Sequence, residues 1–224
     1  MTSPHRSARV VLLTGPSGSG KSSLASRTGF PVLQLDDFYR EAHEEAFPGG
    51  TRGPMPLLPD GAIDWDSPQS WDADAAVAAI TALSCDAATD IPVYDIATSS
   101  RAGTARLDIG GAPVFIAEGV FAADIAERCR ELGVLADALC LRGRPFTTFR
   151  RRLVRDLREG RKSAAVLVRR GWRLMRAERE IVARQTALGA HPCGKEEAFA
   201  RIASAAERRT PARSGHGPAR TVSA

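Results

Sequence analysis

The sequence predicts a doubly wound α/β domain, a parallel sheet flanked by helices, on three observations. Short apolar runs that read as buried strands alternate with helical patterns along the chain. The first run leads into Gly15-Pro16-Ser17-Gly18-Ser19-Gly20-Lys21-Ser22, which meets the pattern G-x-x-x-x-G-K-[ST] in full. Acidic residues stand just after two later strand-like runs, where ligands lie in open α/β sheets. In such a loop glycines let successive backbone N–H groups curl around a phosphate, the lysine reaches the outer phosphates, and the final hydroxyl ligates Mg²⁺. A chance Gly/Ser turn is the competing explanation, but average residue frequencies put a random match at roughly 1% for a chain of this length.

Taken in order, residues 9–13 form the first buried strand, and residues 22–26 open a helix whose N-terminus faces the anion. Residues 30–35 read as the second strand, ending in Asp36-Asp37. Residues 41–63, rich in Pro and Gly, form a long loop, and such loops in compact domains are often functional. Ser67-Pro68 starts a helix through Trp71, Val77, Ile80 and Leu83, with proline at a favoured first-turn position. Residues 91–95 and 104–109 are short, half-exposed strands of a hairpin lobe. Residues 113–117 are the most strand-like run and end in Glu118-Gly119; residues 136–141 are a fourth core strand. From Pro145 to about Leu188 the pattern is helical and strongly basic, with a break near Gly160 or Gly171. Residues 196–208 form a final helix, and the Ser/Arg/Pro/Gly-rich residues 209–224 a disordered tail. One domain over 1–208 is expected, with a small substrate lobe at about 41–110 and an arginine-rich helical lid at about 145–175. No internal repeat is present.

Composition narrows the classes. With 224 residues, 43% hydrophobic and 25% charged, the chain can bury one sizeable core. The N-terminus lacks the apolar stretch of a secretory signal, and the longest uncharged stretch near the middle, 75–85, is far short of the ~20 residues that span a bilayer, so a cytoplasmic location is expected, with no membrane partner. Cys85, Cys129, Cys140 and Cys193 show no C-x-x-C pair and read as reduced structural thiols. The net charge is +5, and only Lys21, Lys162 and Lys195 are lysines, so arginine carries nearly all the positive charge, clustered between Arg142 and Arg184. Oligomeric state is not legible; a homo-oligomer stays open.

Transfer of a phosphoryl group to a hydroxyl needs a carboxylate to take the proton, a metal ligand beside Ser22, and cations around the moving group. Asp36 or Asp37 supplies the first and Glu118 the second, although an acid after a strand also serves as a helix cap or turn residue. On a helix Arg151, Arg155 and Arg158 share a face, as do Arg152 and Arg155, which suits a lid closing over triphosphate. A solvated charged helix and a nucleic-acid patch are the alternatives; the patch is not expected, since Trp172 is the only nearby stacking candidate.

These residues resemble a known family. The loop at 15–22, Asp36-Asp37-Phe38-Tyr39-Arg40, Asp64-Trp65-Asp66-Ser67-Pro68, Pro92-Val93-Tyr94-Asp95, Ile116-Ala117-Glu118-Gly119 and Arg151-Arg152-x-x-Arg155-Asp156 occur in the order seen in uridine kinases, whose wider group includes phosphoribulokinase and bacterial pantothenate kinase. The resemblance covers roughly residues 9–165. It implies the P-loop NTPase fold, ATP or GTP as phosphoryl donor with Mg²⁺, and transfer to the 5′-hydroxyl of a nucleoside, uridine or cytidine. By position Asp36 resembles the catalytic base, with Lys21, Arg152 and Arg155 beside it in catalysis. Gly15 through Ser22, with Ser23 and Arg161, match the residues that hold the nucleotide, and Ser22 and Glu118 the magnesium-side residues. Asp66 resembles the acid that holds the ribose hydroxyls, and Tyr39, Trp65, Tyr94, Ser99, Arg101 and Arg152 complete the substrate side.

The departures fall mainly on the acceptor side. Where the family carries His-Ser-Arg, this chain has Ser99-Ser100-Arg101, so a base-reading histidine is replaced by Ser99. Trp65 stands for a usual Phe, Arg169 and Arg170 for a Gln-Tyr pair, and the loop at 41–63 is longer. The last strand of the family has no clear match, and residues 188–194 are read instead as a nucleotide-base loop, with His191 structural or exposed. Another small hydroxyl acceptor (a different nucleoside, pantothenate or a sugar phosphate) is therefore a live alternative, as is an NTP-binding regulatory or RNA-associated switch.

Overall fold

The computed structural model describes residues 8–16, 18–42, 53–95, 98–142 and 179–208. β1 (Arg9–Thr14), β2 (Val32–Gln34), β5 (Val114–Glu118), β6 (Leu135–Leu141) and β7 (His191–Cys193) form one parallel sheet in the order β2-β5-β1-β6-β7. β3 (Ala88–Asp95) and β4 (Ser100–Asp108) form a separate antiparallel hairpin. The helices are α1 (Lys21–Thr28), α2 (Ala73–Asp86), α3 (Ala126–Glu131), α4 (residues 179–187) and α5 (Lys195–Glu207).

Both faces of the sheet are covered, as parallel sheets require. Along β1 the side chains alternate. Val10 and Leu12 join Phe115, Ala117 and Leu33 under Val77, Ile80 and Leu83 of α2. Val11 and Leu13 join Ile116, Leu139 and Leu141 under Leu24 of α1 and Ile202 of α5. Because β1 and β5 pair as Leu13↔Glu118 and β2 and β5 as Gln34↔Glu118, the carboxyl ends of three strands finish at one level. The chain leaves β1 toward β2 and leaves β5 toward β6, in opposite directions across the sheet. That reversal opens a crevice at the ends of β1 and β5.

Several elements differ from the sequence expectation, and α3 was not anticipated. The helix expected from Ser67-Pro68 is a short 3₁₀ turn at Pro68–Ser70, and α2 begins only at Ala73. The reason is that Trp71 bridges to Tyr39 and donates its indole N–H to the Leu35 carbonyl at 2.7 Å, which holds the chain extended. Asp72 then caps α2, accepting the Ala75 N–H at 3.0 Å. The last strand, unmatched in the sequence, is β7. It is three residues long, contains Pro192 and lies at the sheet edge, where a missing N–H is tolerated.

The hairpin is also longer than the two runs expected at 91–95 and 104–109. Cys129, Cys140 and Cys193 are buried free thiols, pushed up to about 11 by burial, and Cys85 is exposed. The expected lid at 145–175 and tail at 209–224 lie outside the described residues. No helix among the described residues is long and apolar enough to cross a membrane.

Phe115 is fully buried at the centre of the sheet. Phe115→Ala should cost about 3–5 kcal/mol of stability, read as a lower urea midpoint with little change in slope.

Candidate active site

At the end of β1 the chain turns through Gly15, Gly18 and Gly20, with φ of 138°, 79° and 94°. Side chains strain at such angles. Gly15 also has no room for one, since a β-carbon there would stand 2.5 Å from the Leu141 carbonyl oxygen. Lys21 begins α1 yet is only 8% exposed, and its Nζ donates to the carbonyls of Gly15 at 2.9 Å and Pro16 at 3.4 Å. Burial lowers its ammonium below the ordinary lysine range, opposed by the nearby carboxylates of Glu118 and Asp36. Ser19, on the same loop, is buried with its hydroxyl unpartnered. Ser22 and Ser23 are exposed in the first turn of α1, which carries no acidic residue and no side-chain cap. The loop thus offers a desolvated cation, an orphaned hydroxyl and open helix N–H groups to an anion. Ser17 lies outside the described residues.

Asp36 and Asp37 follow β2 on a 3₁₀ turn (Leu35–Phe38), and the structure separates them. Asp37 accepts the Tyr94 N–H at 3.2 Å and so ties down the hairpin. Asp36 opens to the crevice. Loss of hydration raises its carboxyl above the ordinary aspartate range, against the pull of Lys21 and of the Val120 N–H it accepts. Gly119 admits it: a β-carbon there would meet Leu35 Cβ at 2.7 Å and the Asp36 Oδ1 at 3.1 Å. Glu118, 4% exposed, ends β5, and its charge also acts on Lys21.

The acceptor side is aromatic. Tyr39 stands edge-on to Trp65 at 5.8 Å and to Phe121 at 6.1 Å, and lies 5.9 Å from Tyr94. Its hydroxyl donates to the Trp65 carbonyl at 3.4 Å. Burial, then the charges of Asp36 and Asp66, push that phenol well up. Tyr94 donates its hydroxyl to the Arg40 carbonyl at 3.1 Å and is hydrogen-bonded by Ser99, whose φ is 50°. Arg40 is buried and donates to the carbonyls of Gln69 at 3.1 Å and Gly53 at 3.0 Å, so it braces the loop. Arg101 pairs with Asp72 at 3.6 Å, over the cap of α2.

Electrostatics thus link Lys21 with Asp36 and Glu118, and Tyr39 with Asp36 and Asp66, while Tyr39 packs on Trp65 and Tyr94; Ser22 follows Lys21 in α1, and Arg152, Arg155 and Arg161 lie outside the described residues. His191 is exposed on β7 and pairs with Glu197 at 2.8 Å, away from this chemistry. The sequence reading missed Phe121, Trp71 and Gln185. Gln185 of α4 is buried and donates to the Val120 carbonyl at 2.9 Å, while Thr14 donates to the same oxygen at 3.1 Å. That peptide's neighbouring N–H holds Asp36, so β1 and α4 both fix the acid.

No family model matches the chain. Among curated proteins it is 31% identical to a uridine kinase of Schizosaccharomyces pombe over 130 residues, 53% of this chain and 26% of that one. A uridine kinase of Limosilactobacillus reuteri is 25% identical over 55% of this chain and 54% of its own. Over about half its length the chain is similar to uridine kinases. It also matches an inorganic pyrophosphatase of Arabidopsis thaliana, at 28% identity over 55% of this chain and 17% of that protein. The matches thus span from a small part to about half of these relatives. Among solved structures, one described as a fructose transport system kinase from Silicibacter sp. TM1040 superposes over 82% of this chain and 88% of its own, with a TM-score of 0.53 and 22% identity. The fold is the P-loop α/β fold.

A divalent cation fits the donor chemistry here. Ser22 and Glu118 offer hard oxygen ligands beside a loop with an orphaned hydroxyl, and Mg²⁺ takes few protein ligands when phosphates and water supply the rest.

The raised carboxyl of Asp36 has a stability consequence. Its charge costs the folded protein stability above the raised value, and the cost vanishes below the ordinary aspartate value. Asp36→Asn should therefore melt at a higher temperature than the native chain near pH 8, the gap closing as pH falls toward 4, as followed by thermal unfolding across pH.

Proposed function

We propose that the protein is a phosphotransferase that moves the γ-phosphoryl group of ATP or GTP to the 5′-hydroxyl of a nucleoside of the uridine or cytidine type. The observation that carries this reading is the placement of Asp36. Its charge acts on the loop lysine, and its charge and that of Asp66 both act on the Tyr39 hydroxyl. A switch protein needs no open acid facing a walled pocket.

In this reading Lys21 exchanges its bonds to Gly15 and Pro16 for phosphate oxygens, and the open N–H groups of α1 hold the same chain. Ser22 and Glu118 would hold Mg²⁺, which neutralises charge on the transferring phosphates. Asp36 takes the proton of the acceptor hydroxyl, and its raised carboxyl brings it nearer to the strength a general base needs. Asp66 orients the acceptor hydroxyls, Tyr39, Trp65 and Tyr94 wall the ring, and Arg152, Arg155 and Arg161 close over the phosphates. Cytoplasmic nucleoside salvage is the setting this activity fits.

A second reading, a sugar or other small alcohol as acceptor, is favoured by one specific observation. Ser99, where a base-reading histidine was expected, is engaged with the Tyr94 hydroxyl instead. A screen of nucleosides, sugars and other small alcohols with Mg²⁺ and ATP or GTP, scored by phosphorylated product, decides between them. Phosphate release that no acceptor stimulates, or pyrophosphate hydrolysis, would overturn both.

Three variants test the roles. Asp36→Asn should lower transfer by about a hundredfold or more with nucleotide affinity nearly unchanged, whereas Lys21→Ala should weaken binding and turnover together. Gly119→Ala should lower kcat by at least about tenfold with normal nucleotide affinity, because its β-carbon displaces Asp36.

A further inference from the structure

Of the 31 lysine and arginine side chains only three are lysines, and two of those meet at the phosphate loop. Lys195, the first residue of α5, lies across Gly20: a β-carbon there would fall 2.4 Å from the Lys195 Nζ and 2.9 Å from its Cε. The glycine thus serves twice, reaching a φ of 94° and leaving room for the lysine.

The Lys195 ammonium is exposed and has no protein partner among the described residues, although two glutamates follow it directly. Both are committed elsewhere. Glu196 accepts from Arg27 Nη2 through both oxygens, at 3.2 and 3.1 Å, and Glu197 pairs with His191 at 2.8 Å. Arg27 also lies over the Phe199 ring at 5.0 Å, so α5 is fastened to α1 and Lys195 is held over the loop. A cation at a helix N-terminus opposes the macrodipole, so this position disfavours lysine on local grounds. Local rules are broken in this way at functional sites. A compact ammonium on a flexible stem suits one phosphate oxygen, where the bulkier guanidinium used elsewhere in the chain would crowd the loop. The buried, unpartnered hydroxyl of Ser19 lies on the same loop.

We propose that Lys195 is a second phosphate-binding cation of the loop, contacting the phosphate chain of the bound nucleoside triphosphate as it passes Gly20. The inference rests on the reading of the loop as a nucleotide site. It extends that site to the far end of the chain, beyond the signature at 15–22.

Equilibrium titration of the full chain with ATP and with GTP, at low and moderate salt, tests it. Lys195→Ala should weaken both nucleotides by about tenfold, and equally, because the contact is to phosphate and not to base. Lys195→Glu should weaken them further, and the salt dependence of binding should become shallower in both variants. Lys195 is exposed, so both should melt with the native chain, which separates lost binding from lost folding. Affinity within twofold of native in both variants, or a loss confined to one base, would overturn the proposal. If Lys21→Ala abolishes binding while both Lys195 variants stay within twofold of native, the nucleotide site stands and this inference falls; if the native chain binds neither nucleotide, both fall.

Discussion

Burial of Lys21 is the constraint on which the rest of the site depends. An ammonium with 8% exposure must be compensated by nearby acceptors or it gives up its charge. Two loop carbonyls supply part of this, which forces the glycine-bearing turn to wrap inward. The remainder comes from Glu118 and Asp36, on two different strand ends. The register that sets Leu13 and Gln34 level with Glu118 is what brings those ends to one lysine. The sheet, the loop and the two acids are therefore a single electrostatic unit, and the apolar packing beneath serves to hold its level.

Much of this was legible in the residues themselves. The loop is contiguous, so local pattern suffices; Asp36 and Glu118 follow apolar runs whose buried character is plain. The wall of Tyr39, Trp65, Asp66 and Tyr94 came only from resemblance, because those residues are scattered and individually look structural. What escaped reading depends on contacts between distant elements. The start of α2 was displaced by an indole bond to Leu35, a partner far back in the chain. β7 was hidden because a three-residue edge strand containing proline has no periodic signature. Gln185, at the far side of the arginine-rich segment, reaches the carbonyl of Val120, the residue whose N–H holds Asp36, and nothing in its neighbours announces that.

The two acids after β2 show how little separates structure from chemistry. Both sit on one short turn, and sequence alone treated them as equivalent candidates for the base. The hairpin decides between them: one is claimed by the Tyr94 N–H, while the other is left facing the crevice and admitted by the bare face of Gly119. A carboxylate left open to the crevice but crowded by protein is the kind that can accept a proton at neutral pH.

The way the hairpin is hung has an evolutionary consequence. Two of its attachments have a main-chain group at one end, the Tyr94 N–H on Asp37 and the Tyr94 hydroxyl on the Arg40 carbonyl, beside the side-chain pair of Arg101 with Asp72. Backbone partners do not change when side chains mutate. The lining residues can therefore change without unseating the lobe or disturbing the buried lysine. A scaffold wired in this manner is a cassette, in which the molecule recognised can turn over across lineages while the machinery behind it is inherited intact.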